Sequence, residues 1–160
     1  LTGCALPQFS FKSGGSETKE IDAKTVQVDY FDNKSPIGGS FLGASFTESL
    51  RDIMQSQTKL NLVAENGDLQ ISGVIRNYII SPVNIQAGSE SAAQNRLKMS
   101  INVNTYYNKN DSIGLNNSAF SAFVDYDATS DFSSIEEELV ENLNYQITQD
   151  VFDKIFGGEW

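Results

Sequence analysis

Leu69-Gln70-Ile71-Ser72-Gly73-Val74-Ile75-Arg76-Asn77-Tyr78-Ile79-Ile80 is the stretch that decides the fold. Its odd positions are Leu69, Ile71, Gly73, Ile75, Asn77 and Ile79; its even positions include Gln70, Ser72, Arg76 and Tyr78. Successive side chains of a strand point to opposite faces, so this pattern predicts a long strand with one face buried and one largely open. Arg96 to Tyr107 repeats it, with Leu97, Met99, Ile101 and Val103 set against Lys98, Ser100, Asn102 and Asn104. Such strands need apolar cover on one side only, which points to a sheet with a single covering layer.

Two amphipathic segments supply the cover. From about Ser40 to Gln57, Leu42, Phe46, Leu50, Ile53 and Met54 recur at helical spacing. From about Ser134 to Phe156, Ile135, Leu139, Leu143, Ile147, Val151 and Ile155 recur at every fourth residue. That spacing drifts around a helix, so the stripe winds, as suits a helix laid across a twisted sheet. Ser133 with Glu136 reads as a capping box, Glu136, Glu137 and Glu138 as first-turn acids, and Gly157-Gly158 as the end. Ser45 with Glu48 would form a second box if the first helix began later.

The other strands are shorter. Thr25 to Phe31 alternates and is rich in β-branched and aromatic residues, and Asp32 to Pro36 is a turn cluster. Leu60 to Val63 is a short strand, and Asn66-Gly67 suits a type I′ hairpin turn into Leu69. Ser81 to Gln94 reads as a polar loop and Asn108 to Asn116 as a turn. Asn117 to Tyr126 is the last strand, with a bulge near Ala122 to reconcile Phe120 and Phe123. The expected fold is α+β: a two-layer sandwich in the order β-α-β-β-β-α, with two helices on one face of a mostly antiparallel sheet of about four strands and a short extra strand near 60–63. Residues 23–160 form one domain.

The lone cysteine is Cys4, in Leu1-Thr2-Gly3-Cys4. A branched apolar residue, two small residues and a cysteine form the tail of a lipoprotein signal peptide, whose earlier regions do not precede it here. Residues 1–22 are therefore expected to be a lipobox remnant and a flexible tether rich in Ser, Gly and Thr, with Phe9 and Phe11 either loose or adding to a sheet edge. An acylated Cys4 would anchor the chain at a membrane surface; the bland reading is a stray thiol. The chain carries 21 Asp+Glu, 11 Lys+Arg and no His, for a net charge of -10. That balance argues against nucleic acid as a partner, and the lack of histidine removes Ser-His and Cys-His nucleophile pairs and the usual zinc ligands.

Several stretches then carry a family likeness: the lipobox, Asp29-Tyr30-Phe31-Asp32-Asn33-Lys34, Phe46-Thr47-Glu48-Ser49-Leu50-Arg51-Asp52, Asn66-Gly67-Asp68-Leu69, Ala92-Ala93-Gln94-Asn95-Arg96-Leu97, and Phe123-Val124-Asp125-Tyr126 before the acidic last helix. In this order they resemble the LptE family of outer-membrane lipoproteins, in its Bacteroidetes form. The resemblance implies a non-enzymatic protein with no cofactor beyond covalent lipid on Cys4. It implies a plug in the lumen of an LptD-like barrel that helps the barrel assemble and contacts lipopolysaccharide. The location implied is the outer membrane; the absence of an acidic run after Cys4 favours the periplasmic side. Family members use basic residues against lipid phosphates, whereas this chain is acidic. Arg76, Arg96 and Lys98, on the even positions of two strands, are the candidates for lipopolysaccharide binding; the bland reading is ordinary solvated charge. A chaperone or pilotin for another secretion machine, or a lipid- or carbohydrate-binding surface lipoprotein, is the alternative.

Two further clusters have weaker meanings. Asp125 to Asp131 has carboxylates spaced as at the start of a calcium loop, without its glycine and final glutamate; a strand end and helix entry is the bland reading. Gly38-Gly39-Ser40 joins a strand to a helix as a phosphate loop does, without the Lys-Ser/Thr; a simple connector is the bland reading.

Overall fold

The computed structural model describes residues 21–83 and 92–157. Cys4, the segment 1–20 with Phe9 and Phe11, the middle of the 81–94 loop and Gly158 lie outside the described residues. The described elements run β1 (Thr25–Val28), β2 (Asp32–Asn33), α1 (Gly39–Gln57), β3 (Asn61–Leu62), β4 (Leu69–Pro82), β5 (Gln94–Tyr107), β6 (Ser112–Ile113), β7 (Ser118–Asp127) and α2 (Phe132–Phe156). The fold is the expected α+β pair of helices on one face of a sheet. The sheet holds more strands than expected and is mixed: seven strands, in the order β3-β1-β4-β5-β6, with β2 also on β4 and β7 also on β5. β1, β2 and β3 run parallel to their partners, while β4, β5, β6 and β7 pair antiparallel.

Both helices form where their apolar stripes were expected. α1 buries Leu42, Phe46, Leu50, Ile53 and Met54 over β1, β2 and β3, and α2 buries Leu139, Leu143, Ile147, Val151 and Ile155 over β5 and β7. Neither N-cap side chain accepts a capping hydrogen bond from the helix backbone. Packing therefore holds the helices, each buried large apolar side chain contributing about 1.5–3 kcal/mol. α2 begins at Phe132, so Ser133 lies inside it and donates to Asp131 Oδ1 at 3.0 Å instead of forming a capping box. Glu136, Glu137 and Glu138 consequently fall beyond the first turn. Ser45 likewise lies inside α1.

The strand expected at 25–31 breaks after Val28. Val28 pairs with Ile71 but Asp32 with Val74, so this strand spends one residue more than β4 over the same span. At the break the Phe31 N–H donates to Thr47 Oγ1 of α1 at 3.0 Å. The extra residue reverses the parity, which is how Val26, Val28 and Phe31 are all buried.

Asn66-Gly67 is not a hairpin turn. β3 and β4 are separated by β1 and run parallel to it, so the chain must cross β1 between them. Asn66 is left-handed, at φ 56°, but Gly67 is not. Gly67 lies against Gln27 of β1, where an added Cβ would sit 2.7 Å from the Gln27 backbone nitrogen. The glycine answers close approach rather than turn geometry. The crossing is locked by Asp68, whose Oδ2 accepts from the Lys24 and Thr25 N–H groups at 2.8 and 3.2 Å, while its own N–H donates to Thr25 Oγ1.

β4 contains a bulge. Ile75 pairs with Ile101 and Asn77 with Ser100, leaving Arg76 unmatched. Beyond it the faces exchange: Tyr78 opposes Met99 in the core at 1% exposure, and Ile79, expected inside, opposes Lys98 at 49% exposure. β7 has no bulge. Its register against β5 is continuous from Gln94–Asp127 to Val103–Ser118, so Phe123 faces out while Ala122 and Tyr126 face in.

Candidate functional site: the open sheet face

The face away from the helices is read in rows across β4, β5 and β7. One row holds Ile79, Lys98 and Phe123; the next holds Ser81, Arg96 and Asp125. On the other side of the first lies Asn77, Ser100 and Ser121, then Val74, Asn102 and Ala119. The face is graded. Toward the start of β5 it carries cations and exposed apolar side chains. Toward the end of β5 it carries neutral groups that satisfy one another: Asn102 Nδ2 donates to Asn117 Oδ1 and the Asn117 N–H to Asn104 Oδ1, each at 2.7 Å.

Arg96 Nε and Nη2 donate to the two Asp125 carboxylate oxygens at 2.8 and 3.0 Å, and the guanidinium lies 3.9 Å from the Phe123 ring centroid. This forked pair and stack fix the plane of the guanidinium. The Arg96 hydrogen bond is the main cause holding the Asp125 carboxyl below the ordinary carboxylate range, and the reciprocal bond raises Arg96. Lys98 stands in the row between Ile79 and Phe123, and its salt-bridge partner is absent among the described residues. Arg76, the unmatched residue, is exposed at the level of Ser100, a diagonal step from Lys98.

Of the three residues singled out from the sequence, Arg96 and Lys98 share one strand face, with Arg76 nearby. Sequence reasoning missed that Asp125 occupies Arg96. It also missed that Ile79 and Phe123 make the face partly apolar. An uninterrupted period-two reading of β7 would have placed Phe123 here; the supposed bulge hid it.

The other clusters have local explanations. Asp125 holds Arg96, Asp127 accepts from the N–H and hydroxyl of Thr129 at 2.8 and 2.7 Å, and Asp131 accepts from Ser133. No group of three metal-ligating residues occurs among the described residues. At the start of α1, Gly38 and Gly39 take φ of 88° and 53°, and Asn33 Nδ2 donates to the Ile37 and Gly39 carbonyls, as in a connector. No described helix is long and apolar enough to cross a membrane.

The model of one protein family, described as LptE, lipopolysaccharide-assembly, matches residues 23–156. No curated protein matches the sequence significantly. Solved structures share the fold at low identity. A hypothetical protein from Chlamydia trachomatis is 9% identical, with TM-score 0.56, over 83% of this chain and 98% of its own. A minor lipoprotein from Acinetobacter baumannii is 10% identical, with TM-score 0.51, over 87% and 100%. Lipoprotein B from Nitrosomonas europaea is 10% identical, with TM-score 0.52, over 81% and 79%.

Proposed function

Because this chain belongs to the LptE family of lipopolysaccharide-assembly proteins, we propose that it is an outer-membrane lipoprotein, anchored through Cys4 on the periplasmic side, that plugs and helps assemble an LptD-like barrel and touches lipopolysaccharide in transit. The role is non-catalytic and uses no cofactor beyond the acyl chains on Cys4.

The observation that carries this reading is the row Ile79–Lys98–Phe123, a cation with no ion-pair partner among the described residues, flanked by two exposed apolar side chains. A phosphorylated, acylated glycolipid offers both matching chemistries. Lys98 and Arg76 are the first contacts for its phosphate. Arg96 contributes only where the phosphate displaces or shares Asp125. The neutral remainder of the face suits the polar wall of a barrel lumen. A plug of net charge -10 calls for a lumen of positive potential.

Two measurements test the two halves of the proposal. Purification of the acylated protein from its own membranes should recover a large barrel protein; recovery of the protein alone counts against the plug. Lys98→Ala with Arg76→Ala should weaken lipopolysaccharide binding about tenfold or more, since two charge-assisted contacts of ~1 kcal/mol each are lost. Unchanged binding would remove these residues from the site.

A further inference from the structure

Among the described residues, no strand pairs with the second edge of β7. Between Ser118 and Tyr126 its backbone pairs with β5 and with no other described strand. Exposed edges are usually blunted by lysine, proline, a bulge or shortness. From Ser118 to Val124 β7 has none of these: the run keeps continuous register with β5 and holds no Gly, Pro or charged residue, its acids Asp125 and Asp127 lying at the far end. Beside this edge runs a cleft of about 370 Å³ between β7 and the last turns of α2, lined by Ala119, Phe120, Ser121, Asp150, Asp153 and Lys154.

We infer that the β7 edge and this cleft form a docking site for an extended, positively charged segment of a partner protein, which adds to the sheet as a further strand. Backbone bonds along the edge supply affinity. Half-buried Phe120, Asp150 and Asp153 all lie on the helix side of the edge, so the cationic side chains at every second position of the added strand lay their methylenes on Phe120 and their charges against the two carboxylates. Charge selects this occupant over a second copy of the chain. α2 carries six acids and one base, Lys154. Two copies joined edge to edge would set two such helices side by side, and like charges so placed repel. The inference does not rest on the barrel reading, and each can fail without the other.

The test uses the whole 160-residue chain and a blocked ten-residue peptide of alternating lysine and valine, read by amide hydrogen exchange across β7. Alternate β7 amides, those not bonded to β5, should exchange fast in the free protein and slow by about tenfold or more with the peptide. A glutamate-valine peptide should give no protection. Asp150→Lys with Asp153→Lys, both exposed, should weaken the lysine peptide about tenfold, as expected for reversing two surface charge contacts. No protection with the lysine peptide, or equal protection with both, overturns the inference. So does an edge already protected in the free protein, whether that protection grows with protein concentration, as for a second copy, or does not, as for the chain's own residues.

Discussion

The Tyr78 hydroxyl donates to Glu136 Oε1 at 2.9 Å, tying the middle of the sheet to α2 across 58 residues of sequence. The unmatched Arg76 makes the contact possible by turning Tyr78 from the open face into the core. Burial, and then Glu136 as acceptor, hold the Tyr78 hydroxyl well above its ordinary pKa, so it stays protonated and donating.

Tyr78→Phe keeps the ring and removes the donor. Glu136 is half-buried and regains water, so the loss should be about 1 kcal/mol. Tyr78→Ala also empties the core and should cost about 3–5 kcal/mol. Urea unfolding of the two variants separates hydrogen bond from packing.

Deleting Arg76 should be far worse than trimming it. Arg76→Ala retains the bulge and should change stability by less than about 0.5 kcal/mol. Deletion removes the extra residue, sends Tyr78 outward and Ile79 inward, and should abolish cooperative unfolding. Equal stability of the two variants would show that the bulge does not set the register.

Asn144, 1% exposed, donates from Nδ2 to Ser45 Oγ at 2.8 Å where the helices meet, but its Oδ1 has no partner among the described residues. Replacing both polar partners removes that unmet acceptor. Asn144→Leu with Ser45→Ala should be neutral or stabilising by about 1 kcal/mol. A loss above about 1.5 kcal/mol in thermal or urea unfolding would mean that the pair is needed for packing.

Acid should weaken the fold through Asp68 and Asp125. The N–H groups of Lys24 and Thr25 lower Asp68, and Arg96 lowers Asp125, both from the ordinary 3.8. Between the lowered and ordinary values the unfolded chain binds more protons. Their contribution is thus complete above 3.8 and is lost as pH falls through the folded values. Unfolding midpoints should drop below pH ~4, and Asp68→Asn with Asp125→Asn should flatten that drop.

Asp125→Asn should also bear on the proposed lipid contact. Without the carboxylate, Arg96 keeps its place over Phe123 but loses its counter-charge. Lipopolysaccharide binding should tighten several-fold, by roughly the ~1 kcal/mol of one charge-assisted contact. Weaker binding would assign Asp125 a positioning role instead.

The helices and most of the core were legible because their periods are local. Leu42 to Met54 and Leu139 to Ile155 repeat at helical spacing whatever lies opposite, and Leu97 to Val103 alternate within one strand. The cations Arg96 and Lys98 were correctly placed on the open face for the same reason. The errors sit where one residue changes parity. The bulge at Arg76, the break after Val28 and the unbroken register of β7 are properties of a strand and its partner together, and a period-two count along one strand cannot register an unmatched residue.

By itself, then, the chain determined two amphipathic helices, a half-buried sheet and an acidic surface with few cations. Only the tertiary structure decided that β3 lies beyond β1, that Gly67 serves a strand crossing, that Tyr78 faces Glu136, and that Asp125 occupies Arg96. The reason is that side-chain periodicity is encoded over a few residues, whereas strand order, register and ion pairing are settled by contacts between residues far apart in sequence. For Gly67 and Gln27 that separation is 40 residues, and for Tyr78 and Glu136 it is 58.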